Sequence, residues 1–153
     1  MLTITQATPE QASLVYDIML AAFEEYRSKL NPPSGVFAET VETVRRFMSE
    51  GGALLAWENE AAIGSMRYIF KPDHMYVGRV SVLPAYRGRG IATAMMREVE
   101  PIARAHGYRS IHLGARLVLQ SNIAFYERLG YRVIDTRMHD KGGSMVVEMR
   151  KEL

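Results

Sequence analysis

Apolar and polar residues alternate over Leu2–Gln6, the period of a short strand with one buried face. The period then changes. Leu14, Val15, Ile18, Met19, Ala22 and Phe23 recur at helical spacing, which predicts a helix to about Tyr26 with that stripe inward. Its start is marked by Thr8-Pro9-Glu10-Gln11: Thr8 suits the cap, Pro9 the first helical position and Gln11 the reciprocal place in a capping box. Asn31-Pro32-Pro33-Ser34-Gly35 interrupts the chain. A second helix is predicted over about Glu39–Glu50, with Val41, Val44, Phe47 and Met48 inward and Gly51-Gly52 as its stop.

Ala53–Glu58 and Ala61–Phe70 read as a hairpin about Asn59-Glu60, and Met75–Leu83 as a further strand closed by Pro84. Arg89–His106 is a long helix ended by Gly107. Arg109–Arg116 is the next strand, and Ser121–Leu129 a helix stopped by Gly130. Tyr131–Met138 and Ser144–Lys151 are the last two strands, around a Gly142-Gly143 turn. The order β-α-α-β-β-β-α-β-α-β-β, without repeats or linkers, predicts a single α/β domain over residues 1–153 with a mixed sheet.

Composition narrows the function classes. With 153 residues, 48% hydrophobic and 24% charged, the chain has the size and makeup of one globular domain. Ten methionines suit adaptable packing or an adaptable ligand groove. Cysteine is absent, which excludes disulfides, thiolate metal sites and a cysteine nucleophile. Met1–Gln6 lacks a basic stretch followed by an apolar one, and no apolar run reaches membrane-spanning length. A soluble, cytoplasmic protein with no membrane partner is expected. The net charge of +2 hides an asymmetry: residues 1–60 hold four basic and nine acidic side chains, residues 61–153 fifteen and eight. Seven arginines fall within residues 79–116 against Glu98 and Glu100, and such a stretch points to an anionic ligand.

The stretch from Val80 to Met96 runs from strand to glycine-rich arginine turn to helix without a long loop. Gly88 and Gly90 allow a tight bend and close approach of a ligand to the backbone. The helix that follows directs unpaired amides and its positive dipole end at the turn, and Arg87 and Arg89 add charge. That suits a phosphate or pyrophosphate. A dinucleotide fingerprint fails because Thr93 stands where the third glycine belongs, and a P-loop fails because no Gly-Lys-Ser/Thr occurs. The lipase-type nucleophile elbow and the zinc-protease helix motif are missing too. A single Arg-Gly-Arg-Gly copy, without interleaved aromatics, speaks against a nucleic-acid partner.

Arg87-Gly88-Arg89-Gly90-Ile91-Ala92 resembles the Arg/Gln-x-x-Gly-x-Gly/Ala signature of the GNAT superfamily of N-acetyltransferases. Further on, Asn122-Ile123-Ala124-Phe125-Tyr126-Glu127-Arg128-Leu129-Gly130-Tyr131 is similar to that superfamily's Asn-x-x-Ala-x-x-(Phe)-Tyr-Glu-x-Leu-Gly-Phe/Tyr helix, with the alanine one place closer to the tyrosine. The resemblance implies a mixed, mostly antiparallel seven-stranded sheet flanked by helices, with acetyl-CoA as co-substrate and a small-molecule or peptide amine as acceptor. It implies that the pantetheine arm pairs with Val80, Ser81 and Val82, where this strand splays from Ile111–Arg116. Amides of Gly88, Arg89, Gly90, Ile91, Ala92 and Thr93 would hold the pyrophosphate beside Arg87. Asn122 would reach the cofactor arm, and Tyr126 would protonate the departing thiolate. A phenol and an alkyl thiolate are close enough in proton affinity for that role.

The general base is less defined. Relatives often carry a glutamate on the strand before the Arg-Gly turn, and Met75–Val82 holds none. Glu39, His74, His112 and His139 are the candidates, and an amine deprotonated by water would need none of them. The segment from Pro32 to Thr40 reads as a lid over the acceptor, and the acidic first half hints at a cationic amine. A homodimer agrees with the resemblance. A module that senses acyl-CoA without turning it over is the alternative to an enzyme.

Overall fold

All seven predicted strands form, and they join one sheet in the order β1-β2-β3-β4-β5-β7-β6. The computed structural model describes residues 1–153. The strands are β1 (Leu2–Gln6), β2 (Gly51–Glu58), β3 (Ala61–Phe70), β4 (Met75–Val82), β5 (Ser110–Arg116), β6 (Arg132–Met138) and β7 (Met145–Glu152). The helices are α1 (Ala12–Phe23), α2 (Val41–Ser49), α3 (Ile91–Ala105) and α4 (Gln120–Arg128). Every neighbouring pair is antiparallel except β4 with β5, so the sheet is mixed and mostly antiparallel, as the resemblance implies. No helix is long and apolar enough to cross a membrane.

Helices cover both faces, and β2 shows how the sequence serves both. Successive side chains of a strand point to opposite faces. Leu54 and Ala56 accordingly join the core under α3 and α4, with Met95, Met96, Val99 and Ile123. Ala53 and Leu55 join the second core under α1 and α2, with Val15, Met19 and Val44. An unbroken apolar run is what a strand buried on both sides requires. Met19, Met66, Met75, Met95, Met96 and Met149 are all at most 1% exposed, so most of the methionines serve packing. At the start of the first helical region Gln11 Oε1 accepts the Thr8 N–H at 2.9 Å, the reciprocal half of the predicted capping box.

Gly51-Gly52 is not a helix stop. Both residues belong to β2, opposite Ile69 and Tyr68. A Cβ on Gly51 would lie 2.0 Å from the Tyr68 carbonyl oxygen, and one on Gly52 2.5 Å from the Tyr68 hydroxyl. Close approach of β3, not left-handed geometry, therefore requires glycine at this pair. The second helix is also shorter than expected, beginning at Val41 with Thr40 Oγ1 accepting the Thr43 N–H at 3.2 Å. Glu39 is thereby left outside the helix.

Candidate active site

β4 and β5 start side by side and then part. Their register comprises Met75↔Ile111, Tyr76↔His112 and Val77↔Leu113, with no pair beyond. The backbone of Gly78–Val82 is left without a ladder partner on that side. A ligand containing amides can pair there as another strand would.

A bulge marks the point of divergence. Ser65 faces Ser81 and Arg67 faces Gly78, so two residues of β4, Arg79 and Val80, oppose Met66 alone. Arg79 has φ 53°, a left-handed conformation that costs a side-chain-bearing residue roughly 1–2 kcal/mol. Two contacts hold it. Ser81 Oγ donates to the Arg79 carbonyl at 2.9 Å, and Arg79 Nε donates to Glu39 Oε2 at 2.9 Å. Such a bulge re-aims backbone groups out of the ladder, here into the cleft.

Glu39 is the centre of a buried ion cluster. Arg67 Nη1 and Nη2 donate to its two oxygens at 2.5 and 2.9 Å. The side chains of Glu39 and Arg67 are 7% and 8% exposed, and the Arg67 guanidinium lies 4.2 Å from the Phe47 ring centroid. Burial alone would raise the Glu39 pKa. The hydrogen bond from Arg67 and the charges of Arg79 and Arg67 outweigh it and hold the carboxyl below its usual range.

After Pro84 the chain reaches the glycine-arginine turn. Gly88 and Gly90 both have φ 78°, and a Cβ on either would meet nothing within 4 Å. Glycine is present there for backbone conformation and leaves the turn open to a ligand. The first helical bond of α3 runs from the Ala94 N–H to the Gly90 carbonyl at 3.0 Å, which leaves the amides of Ile91, Ala92 and Thr93 free. Arg89 lies 5.1 Å from the Tyr86 ring centroid. Arg87 is already engaged within the chain. It meets Glu25 Oε1 at 2.7 Å and donates to the carbonyls of Ala22 at 2.9 Å and Val82 at 3.3 Å, joining α1 to β4.

Two cavities open from this framework. One, of about 410 Å³, is lined along its length by Val80, Ser81, Val82, Arg87, Ala92 and Asn122, and it reaches Tyr126. The other, of about 380 Å³, also includes Val80, Asn122 and Tyr126. It continues past Tyr76 and Gly114 to Pro33–Gly35, Arg116 and the β6–β7 hairpin. Tyr126 stands where the two meet. Its ring packs edge-on against Phe125 and Tyr131, at centroid distances of 5.1 and 6.1 Å. Burial, with smaller contributions from Tyr26 and Tyr76, pushes its pKa well above the usual phenol value and keeps the hydroxyl protonated.

The structure separates the four candidate bases. His74 stacks on His112 at 3.8 Å and its Nδ1 donates to Asp73, while His112 Nδ1 donates to Glu148, each at 2.7 Å. Neither ring lines either cavity, and neither does Glu39. His139 lines the second cavity, but its Nδ1 accepts the Lys141 N–H at 3.1 Å. The ring proton of neutral His139 is consequently on Nε2, leaving no free lone pair.

The acidity of the first half does not extend to the lining of the second cavity. Five of the nine acidic residues of the first half are held in ion pairs: Glu24 with Arg27, Glu25 with Arg87, Glu42 with Arg45, Glu58 with the N-terminus and Glu39 with Arg67 and Arg79. No aspartate or glutamate lines the second cavity. Its charged walls are Arg79, Arg116, Arg137 and Lys141, beside His139. Of these, the arginine-rich segment signalled Arg79 and Arg116 as ligands of an anion, whereas Arg137, Lys141 and Tyr76 carried no motif.

Comparison with known proteins agrees with this geometry. The family model described as "Acetyltransferase (GNAT) family" matches residues 13–131. The chain is similar to N-alpha-acetyltransferase 50 of Danio rerio, at 30% identity over 92 residues. That alignment covers 56% of this chain and 54% of the relative, so the chain spans about half of the relative's length. Among solved structures it is similar to a PaiA N-acetyltransferase from Thermoplasma acidophilum in complex with coenzyme A. The TM-score is 0.85 at 17% identity, covering 100% of this chain and 99% of that one. It is also similar to the ribosomal-protein-S18-alanine N-acetyltransferase from Escherichia coli, with TM-score 0.78 and 19% identity over 99% and 94% of the two chains. The sheet that parts after three residue pairs, the open glycine turn and the match over residues 13–131 converge: the chain belongs to the GNAT acetyltransferase family.

Proposed function

We propose that the protein moves an acetyl group from acetyl-CoA to a primary amine by direct attack in a ternary complex. The observation that carries this is the meeting of two cavities at Tyr126, one running along the unpaired part of β4. Acetyl-CoA fits that first cavity: Val80–Val82 offer backbone to an amide-containing arm, and Asn122 faces it. The free amides of Ile91, Ala92 and Thr93, with those of the Gly88–Gly90 turn, suit a pyrophosphate. Arg89 supplies the turn's uncommitted charge, because Arg87 is matched by Glu25.

The acceptor nitrogen must be neutral to attack. No carboxylate and no free imidazole lone pair lines the second cavity, so this chain supplies no base there. It supplies cations instead. Positive charges close to an amine disfavour the ammonium form and lower its pKa, so the proton leaves to water. The nitrogen then forms its bond to the thioester carbon while the carbon–sulfur bond breaks. Backbone groups at the Arg79 bulge steady the developing oxyanion. Tyr126 donates its proton toward the sulfur and recovers one, through solvent, from the newly formed amide nitrogen. Desolvation raises the proton affinity of phenolate and thiolate alike, so burial of Tyr126 does not remove their match.

The test is Tyr126→Phe, assayed by CoA release and by calorimetric titration with acetyl-CoA. Turnover is expected to fall by about 10²–10⁴-fold while Kd for acetyl-CoA stays near wild type. Undiminished turnover would remove Tyr126 from the chemistry. Binding of acetyl-CoA by the wild type with no turnover of any amine would favour a sensor instead.

A further inference from the structure

Within the second cavity Arg116 is exceptional. Its Nη1 donates to Ser144 Oγ at 3.2 Å and its Nη2 to the Pro33 carbonyl at 3.3 Å. Both acceptors are neutral, and no carboxylate pairs with this half-buried guanidinium. Every other arginine lining the two cavities is matched, as is Arg67 behind them: Arg67 and Arg79 by Glu39, Arg87 by Glu25, and Arg137 by Glu148 at 3.6 Å. Burial and the nearby Arg79 charge both work against the Arg116 cation, which has nothing negative to compensate it. The two hydrogen bonds tie the β5 end to the Pro33 segment and to the β6–β7 hairpin, holding the group at the cavity wall. Arg137, Lys141 and His139, whose Nδ1 is taken by the Lys141 N–H, line the same cavity. An uncompensated, oriented guanidinium among further donors is an oxyanion-binding arrangement.

We propose that the acceptor is a compact amine that itself carries an oxyanion, a carboxylate foremost, bound by Arg116 with Arg137, Lys141 and His139. This rests on the reading that the protein acetylates amines, and it names the class of amine. A cavity of about 380 Å³ suits a molecule of amino-acid or short-peptide size. The same charges repel diamines and polyamines, whose second ammonium would lie against Arg116 with no anion to receive it.

The experiment compares matched acceptors. L-amino acids, their carboxamides, primary amines bearing a phosphate, and linear diamines are assayed for CoA release with the wild type, Arg116→Gln and Arg116→Lys. Melting curves check that all three fold. Carboxylate acceptors are expected to exceed their carboxamides in kcat/KM by about 10–100-fold, the worth of a charge-assisted bond. Arg116→Gln should collapse that ratio toward one, and Arg116→Lys should retain most of it, while KM for acetyl-CoA stays unchanged. Preference for the phosphate-bearing amines, lost in Arg116→Gln, would support the oxyanion site and make phosphate its ligand. Diamines or carboxamides equal to or better than carboxylates would overturn the proposal, as would a ratio unchanged in Arg116→Gln.

Calorimetric titration of the same amines separates this from the acetyl-transfer reading. Binding of carboxylate or phosphate amines that depends on Arg116, without turnover, would keep the anion site and sink the transfer. Neither turnover nor Arg116-dependent binding of any anionic amine would sink the anion site.

Discussion

Replacing Glu39 by alanine tests the idea that a buried carboxylate holds the active-site bulge in place. The substitution leaves Arg67, 8% exposed, with its charge buried among Phe47 and the strand backbone. Arginine cannot discard its proton, so the charge stays. Removing one partner of a buried pair costs about 3–5 kcal/mol, because the survivor is desolvated without compensation. Arg79, at 30% exposure, can turn partly to solvent, so its share is discounted. The expected loss is about 3–4 kcal/mol, or a fall in Tm of roughly 10 °C for a chain of this size. Differential scanning calorimetry at pH 7 measures it, with Glu39→Gln as the variant that keeps shape and loses charge. The sign with pH follows from a folded pKa held below the ordinary carboxyl value. Stability contributed by the Glu39 anion is complete above the unfolded pKa, near 4.5, and is lost as pH falls through the folded pKa. The gap between wild type and Glu39→Gln should thus be full at pH 7 and narrow below about pH 4.5. A fall in Tm under about 3 °C for Glu39→Ala would show that solvent screens the cluster like a surface pair, and the reasoning would fail.

Two further substitutions test packing. Gly51→Ala sets a Cβ 2.0 Å from the Tyr68 carbonyl oxygen, and the β2–β3 backbones must separate to admit it. Urea unfolding should show a loss of about 2–3 kcal/mol; a neutral result would mean that the strands part there at little cost. The Tyr131 hydroxyl is buried without a hydrogen-bond partner in a residue 3% exposed. Tyr131→Phe removes that unsatisfied group and should raise stability by about 1 kcal/mol, visible as a higher Tm. A lower Tm would show that the hydroxyl is satisfied by bound water.

Much of this fold was legible because its signals are local. Apolar spacing, Pro9, Pro84, Gly107 and Gly130 located the elements within a few residues, and the two resemblance motifs led to the turn and to Tyr126. What stayed hidden depends on distant partners. Glu39 reads as a helix-start carboxylate and a candidate base, yet it is claimed by Arg67 and Arg79, 28 and 40 residues away. Gly51-Gly52 reads as a helix stop because the Tyr68 backbone that crowds it is invisible in local sequence. Nothing in Gly78-Arg79-Val80 announces that the arginine, rather than the glycine, adopts the left-handed conformation. Net charge by halves did not forecast the lining of the second cavity, since potential in a cavity is set by the few groups lining it, not by the segment total.

The short seam between β4 and β5, only three residue pairs long, divides the labour of the molecule. The sheet behaves as two plates. The plate of β1–β4 carries the bulge, its Glu39 clamp and the strand leading to the phosphate turn, which is the apparatus common to any acyl transfer. The plate of β5–β7, ending in the β6–β7 hairpin, carries Arg116, Arg137, His139 and Lys141, which line the second cavity. Few backbone bonds cross from one plate to the other, so the second can be recut without retuning the first. With the acceptor in the second cavity as proposed, grafting a different hairpin tip onto this chain is a route to new acceptors, and the same separability gives natural selection a way to change a substrate without rebuilding β4.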